Sequence, residues 1–108
     1  MTAINLPKVN KDDAVGAIQE IATADDGRLF MTTHVRQRMA ERSILERQIV
    51  QRVRLGLPVD IPKWNTNEDS GWEVLFERVC AGSPLRVAVK LIENDEDLVV
   101  VMTAYWRD

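Results

Sequence analysis

The feature that most constrains the fold of this chain is a change of hydrophobic period near Pro58. Before this proline, apolar residues recur every three or four positions, which is the spacing of helices that face a core. From about residue 72 onward, apolar and polar residues alternate, as they do in half-buried strands. A single change from helical to alternating period predicts an α+β fold, with helices first and a sheet last.

The helical half of the chain divides into three predicted helices. Ser43 followed by Glu46 forms a capping-box pattern at the start of the third helix, and Gly56 suits the left-handed position just after its end. Capping and apolar spacing together place the helices at about 11–24, 33–42 and 44–55.

The alternating half predicts three strands joined by short turns, which gives an antiparallel β-meander. The expected strands lie near 72–80, 85–92 and 98–106. Two further segments, 28–31 and 59–64, could form edge strands, the second because Pro62 is tolerated only at an edge. We therefore expect the N-terminal helices to pack on one face of a C-terminal antiparallel meander.

Residues on the apolar sides of these elements form the predicted core. They are Val35, Met39, Ile49, Val53, Phe76, Val87, Val89, Val100 and Met102. With 108 residues, of which 45% are hydrophobic, the chain is expected to form a single domain over residues 1–108. The first residues lack the pattern of a signal peptide, so a cytoplasmic location is expected.

Charge is distributed unevenly along the chain. The net charge is −3, but residues 28–56 hold seven arginines and two glutamates, a local charge of +5. Within this basic region, the spacing places His34, Arg38 and Arg42 along one side of the second helix. Val35 and Met39 lie beside this row, so the row is expected at the rim of the surface on which the helix packs.

The sequence shows no motif for a metal ion, a cofactor or a phosphate loop. There is one histidine and one cysteine, and neither belongs to a metal-ligand spacing. Cys80 lies in an apolar alternating run and is expected to be a small packing residue. No metal or cofactor is therefore predicted. The remaining candidates for a functional site are the residues of the row formed by His34, Arg38 and Arg42.

The sequence around this row resembles a known bacterial domain-of-unknown-function family with the signature T-x-H-x-x-x-R-M-x-x-R-x-I. That family is related to the RelE/ParE/BrnT toxin superfamily. The resemblance covers roughly residues 29–106 and leaves the helix at about 11–24 as an addition. The matching positions are Thr32-Thr33-His34, Arg38-Met39, Arg42, Ile44, Ile49-Val50 and Gly56, followed by a meander that ends in Thr103-Ala104-Tyr105.

The resemblance implies a RelE-like fold and a toxin-like activity, either metal-independent RNA cleavage or inhibition of translation. In such toxins, basic and hydroxyl-bearing side chains hold the RNA backbone while a 2′-hydroxyl attacks the adjacent phosphate. For this chain, the resemblance implies that Arg38 and Arg42 bind phosphate and that His34 or Tyr105 moves the proton. The implied partners are RNA or the ribosome, and an antitoxin or another protein. The resemblance further implies that three sheet residues line the substrate groove: Arg86, Lys90 and Thr103.

Two alternatives stand beside this interpretation. The first is structural: Arg38 and Arg42 lay their stems on the core rim and pair with Glu73, Glu77 or backbone carbonyls. The second is functional: the same fold acts as a non-enzymatic module that binds protein or nucleic acid, which the negative net charge favours.

Overall fold

The computed structural model describes residues 10–24, 26–66, 70–78, 84–93 and 97–106. Cys80 and the predicted strand end at 79–80 lie outside these residues. The described elements are, in order, α1 (Lys11–Ala24), β1 (Leu29–Met31), α2 (Thr33–Glu41), α3 (Glu46–Leu55), β2 (Leu57–Pro58), β3 (Lys63–Asn65), β4 (Gly71–Arg78), β5 (Leu85–Ile92) and β6 (Leu98–Trp106). The predicted change from helix to strand is confirmed, and the fold is α+β.

The joint between α2 and α3 differs from the predicted capping box. Ser43 adopts a left-handed backbone, with φ 55°, and its N–H donates to the carbonyl of Ala40. The N–H of Ile44 donates to the carbonyl of Met39, which completes a Schellman motif. Ser43 therefore ends α2, and α3 begins only at Glu46, where the Gln48 side chain accepts the N–H of Leu45.

Gly56 is needed for close packing and not for a left-handed turn, so that prediction is wrong. Its backbone is extended, with φ −77° and ψ 169°. A Cβ at this position would lie 2.2 Å from the carbonyl oxygen of Arg52, which accepts the N–H of Gly56. The chain turns back so tightly on the last turn of α3 that only a residue without a side chain fits.

Within the described residues, the strands form one six-stranded sheet of mixed direction. The main path runs β1-β6-β5-β4-β2, and β3 also pairs with β4. The meander β4-β5-β6 is antiparallel as predicted, but β1 pairs with β6 in parallel. Of the predicted edge strand at 59–64, only Lys63 and Trp64 lie in a strand, β3, and the segment that contains Pro62 separates it from β2.

The helices pack on the face of the sheet where alternate residues of the central strands are buried. α3 contacts β4 and β5, α2 contacts β6, and α1 contacts α3, β4 and β6. Strand residues of this core include Val74, Phe76, Leu85, Val87, Val89, Leu91, Val99 and Val101. No helix in the described part of the chain has the length and apolar composition needed to cross a membrane.

Two of the predicted core residues in β6 lie outside the core. Val100 is only partly buried, and the exposed fraction of Met102 is 40%. Val99, Val101 and Ala104 are buried in their place. The run from Leu98 to Tyr105 is apolar on both parities, so hydrophobicity alone could not select the buried face. The other seven predicted core residues are buried, as expected: Val35, Met39, Ile49, Val53, Phe76, Val87 and Val89.

Candidate functional site

The first part of the predicted site lies along α2. The Thr32 hydroxyl accepts the N–H of Val35 at 3.2 Å and caps the helix. His34 follows in the first turn, where it is exposed. Val35 and Met39 are buried, so the predicted row does lie at the rim of the helix-packing surface.

The two arginines of this row have separate partners. Arg38 Nη1 lies 3.0 Å from Glu41 Oε2, one turn along the same helix, and both side chains are about half exposed. Arg42 Nη1 donates to the carbonyl of Ala104 in β6 at 2.8 Å. Arg42 is thus engaged by a backbone carbonyl, as the structural alternative anticipated, whereas Arg38 pairs with neither of the glutamates considered for it.

Two hydrogen bonds, one donated from each element, join the end of α2 to β6. In addition to the bond from Arg42, Trp106 Nε1 donates to the carbonyl of Arg42 at 2.8 Å. β1 pairs with β6 only over Val99–Val101, so these bonds occupy the part of β6 that lies beyond β1. Among the described residues, no hydrogen bond or ion pair joins His34 to Arg38 or Arg42.

A second group of polar residues lies on the face of the sheet opposite the helices. The register places Glu77 of β4, Arg86 of β5 and Tyr105 of β6 in one row across the three strands. Arg86 Nε donates to Glu77 Oε2 at 3.1 Å, and the exposed fractions of the two side chains are 24% and 11%. We call Glu77, Arg86 and Tyr105 the cross-strand row.

The electrostatics of the cross-strand row favour a permanently charged Arg86. Hydrogen bonding to the Tyr105 side chain is the largest cause that raises the pKa of the Arg86 guanidinium above its ordinary value. Partial burial acts in the opposite direction, and the Glu77 carboxylate adds to the rise. The result is a fixed cation with a hydroxyl beside it, a pair suited to binding an anion and to moving a proton.

A β-bulge in β6 brings Tyr105 into this row. Ala88 pairs with Thr103 and Val89 with Val101, so Met102 is the extra residue. Because side chains alternate along a strand, this insertion exchanges the two faces for the rest of β6. Ala104 therefore lies on the buried side, and Tyr105 lies on the open side beside Arg86.

A groove of about 310 Å³ adjoins the cross-strand row on the same open face. Its apolar surface comes from Leu75, Ala88 and Met102, with Ile61 at one side. Thr103 and Tyr105 line the end nearest the row, so one predicted substrate-binding residue and one predicted catalytic residue border an accessible recess.

Lys90 is placed differently from the other predicted sheet residues. It lies opposite Glu73 in the register, but only 8% of its surface is exposed. The stem of Lys90 packs close to Gly71, where an added Cβ would lie 2.9 Å from Lys90 Cγ. A side chain buried in this way has little surface left for a substrate.

Glu77 is the residue of this site that sequence reasoning missed, since it was considered only as a partner for the arginines of α2. A signal for it was present. Glu77 and Arg86 carry opposite charges on the polar sides of two strands predicted to be neighbours, and opposite charges at facing positions stabilise a sheet. The direct pairing of these two residues comes from the observed register. Nothing comparable predicts the contact between Arg86 and Tyr105, because that contact depends on the bulge.

Within the described ranges, no group of three or more His, Cys, Asp or Glu side chains is placed to hold a metal ion.

Comparison with known proteins assigns the chain to a family. Residues 31–106 match the family described as Domain of unknown function (DUF4258), and α1 lies before the matched region. Comparisons with curated proteins and with solved structures gave no match. The matched region begins at the last residue of β1 and contains α2, α3 and the whole meander, and therefore both the row on α2 and the cross-strand row. Since this region is well over half of the chain, the protein belongs to the DUF4258 family.

Proposed function

We propose that the protein has a RelE-like fold and acts as a toxin-like, metal-independent ribonuclease whose site is the cross-strand row. The observation that carries the proposal is the cross-strand row on an open sheet face, where Arg86 lies 3.1 Å from Glu77 and directly opposite Tyr105 in the register. This face holds a cation and a hydroxyl side by side, next to a groove. The row on α2 contributes less, because Arg42 is committed to the Ala104 carbonyl.

In the proposed reaction, the 2′-hydroxyl oxygen of a ribose attacks the adjacent phosphorus and the bond from phosphorus to the 5′-oxygen breaks. The products are a 2′,3′-cyclic phosphate and a 5′-hydroxyl. Arg86 binds the non-bridging oxygens, where negative charge develops. The 2′-hydroxyl proton passes to solvent water, and the Tyr105 hydroxyl protonates the leaving 5′-oxygen before it regains a proton from solvent.

Glu77 acts as a positioning residue in this scheme. Its carboxylate lies 3.1 Å from Arg86 Nε and fixes the guanidinium against the sheet, where it binds the phosphate.

The test is cleavage of a labelled single-stranded RNA by the purified protein, followed by analysis of the product ends. We expect 2′,3′-cyclic phosphate ends from wild type and a rate reduced by about 10²-fold or more in Tyr105→Phe. Arg36→Ala is the control, because Arg36 pairs with Glu46 on the exposed surface of the helices. Intact RNA with wild type, or full activity in Tyr105→Phe, would contradict the proposal.

A second candidate is the non-enzymatic binding module, and one observation favours it. The segment after α3 exposes apolar side chains, among them Leu57 with 74% and Ile61 with 64% of their surface exposed. Apolar side chains exposed together in this way are typical of protein-binding surfaces. If this candidate is correct, Leu57→Ser/Ile61→Ser should abolish any effect of the induced protein on bacterial growth, and Tyr105→Phe should leave that effect unchanged.

A further inference from the structure

The groove beside the cross-strand row has an apolar floor built across three strands. Ala88 lies at its centre, opposite Leu75 of β4 and Thr103 of β6. Ala88 is the residue two positions beyond Arg86 on the same face of β5, and its small side chain leaves the recess open. Met102 and Ile61 line the recess and remain 40% and 64% exposed.

The groove and the cross-strand row share one residue, Tyr105. Two positions along a strand span about 6.8 Å, so the floor at Ala88 and the cation at Arg86 are separated by about that distance. A single nucleotide is long enough to place its phosphate at one and its base at the other. Asp60, Lys63 and Glu73 also line the groove, so its wall is partly charged. The apolar floor at Ala88 and the cation at Arg86 match the base and the phosphate of one nucleotide.

We propose that this groove binds an unpaired base of single-stranded RNA, next to the phosphate held by Arg86. This inference rests on the proposed function, since it names the substrate class of the same site. A base offers flat apolar faces, which Leu75, Ala88 and Met102 can cover, and the ring of Tyr105 closes the end nearest the phosphate.

The shape of the groove explains why the strand must be single. A base in a duplex is stacked on both faces by its neighbours and paired along one edge, so it reaches a recess only after it leaves the stack. A loop or an unpaired stretch presents its bases without that loss. Duplex RNA is therefore expected to meet Arg86 through its phosphates alone.

The probe for the test is a six-nucleotide 2′-O-methyl RNA, which lacks the attacking hydroxyl and so reports binding without cleavage. Fluorescence anisotropy with the full-length protein gives Kd for this single strand, for its duplex, and for the same strand with one base removed from each position in turn. We expect the single strand to bind about tenfold more tightly than the duplex, and removal of one base to weaken binding by a similar factor.

One variant fills the groove with a larger side chain, the other adds a negative charge to it, and each has a matched control. Ala88→Leu occupies the recess, and its control is Ala40→Leu at an exposed position of α2. Met102→Glu adds a carboxylate at an exposed position that leaves the core intact, and its control is Leu45→Glu before the first turn of α3. Both groove variants should weaken single-strand binding by about tenfold, while both controls bind as wild type.

The outcomes separate this inference from the proposed activity. Equal binding of single strand and duplex, wild-type affinity in both groove variants, or no binding by wild type would overturn the inference. Groove-dependent binding of the probe, together with no cleavage of unmodified RNA, would support the groove and sink the ribonuclease. Cleavage of unmodified RNA at the wild-type rate by both groove variants would keep the ribonuclease and overturn the groove.

Discussion

The two arginines at the end of α2 differ in what they contribute to stability. Arg42 bonds a strand carbonyl at 2.8 Å, whereas Arg38 pairs with Glu41 at the surface. We expect Arg42→Ala to lower the free energy of unfolding by roughly 1 to 2 kcal/mol, because the Ala104 carbonyl loses a charged donor. Arg38→Ala should change it by less than about 0.5 kcal/mol. Urea denaturation of both variants measures the difference, and equal effects would be inconsistent with the assigned roles.

Asp26 makes a small pH-dependent contribution to stability. A hydrogen bond from the Arg28 side chain lowers the pKa of the Asp26 carboxyl below its ordinary value. Since the folded-state pKa is the lower one, the stabilisation is present above the unfolded value of about 3.9 and is lost as the pH falls through the folded value. Asp26→Asn should therefore be less stable than wild type at pH 7, and the two should converge at low pH. A difference that stays constant down to low pH would contradict this account.

At the scale of elements, the left-handed residue between α2 and α3 is a site that substitution can improve. Ser43 holds φ 55° with a Cβ present, a conformation that costs roughly 1 to 2 kcal/mol for a residue other than glycine. Glycine also loses more freedom on folding, so Ser43→Gly should raise the free energy of unfolding by only about 0.5 to 1 kcal/mol. A β-branched residue does not tolerate the left-handed conformation, so Ser43→Val should lower the free energy of unfolding. Thermal unfolding of the two variants compares them, and a less stable Ser43→Gly would exclude the Schellman geometry.

The bulge in β6 makes neighbouring residues differ sharply in their contribution. Val101 is fully buried, whereas Met102 is 40% exposed. Val101→Ala should lower the free energy of unfolding by roughly 2 to 3 kcal/mol through lost burial and a new cavity, and Met102→Ala by less than about 1 kcal/mol. Denaturant titration of the two variants provides the test. The opposite order would mean that β6 has a regular register, with Met102 in the core.

These elements also show where sequence information ends. The helices were predictable because their apolar residues recur at helical spacing, although the capping box at Ser43 and the left-handed Gly56 were wrong, and β5 because its alternation is regular. The buried face of β6 was not predictable, because Val99, Val100 and Val101 offer the same chemistry to both sides. The parallel pairing of β1 is a long-range contact across α2, α3 and the meander, and three residues carry no pattern that identifies their partner strand.

At the scale of the whole molecule, the candidate site depends on the assembled sheet and on no single motif. The observed register of β4 and β5 sets Glu77 opposite Arg86, and Tyr105 joins them only because the bulge turns the end of β6 over. The opposite holds for the row on α2. Its regular spacing is visible in the sequence, but Arg42 donates to a strand carbonyl that the sequence does not identify. Side-chain spacing on one helix is local information, whereas the partners of those side chains come from the tertiary fold.

The central claim is that chemistry belongs to the open sheet face and not to α2, and two matched arginines test it. The measurement is the single-turnover rate of cleavage of one labelled single-stranded RNA by wild type, Arg86→Gln and Arg38→Gln, each first shown to be folded by circular dichroism. We predict that Arg86→Gln lowers the rate by about 10²-fold or more, since it removes the cation at the phosphate. Arg38→Gln should cleave at the wild-type rate, because its exposed pair with Glu41 lies on the helix. Loss of cleavage in Arg38→Gln with full cleavage in Arg86→Gln would contradict the account and return the site to α2.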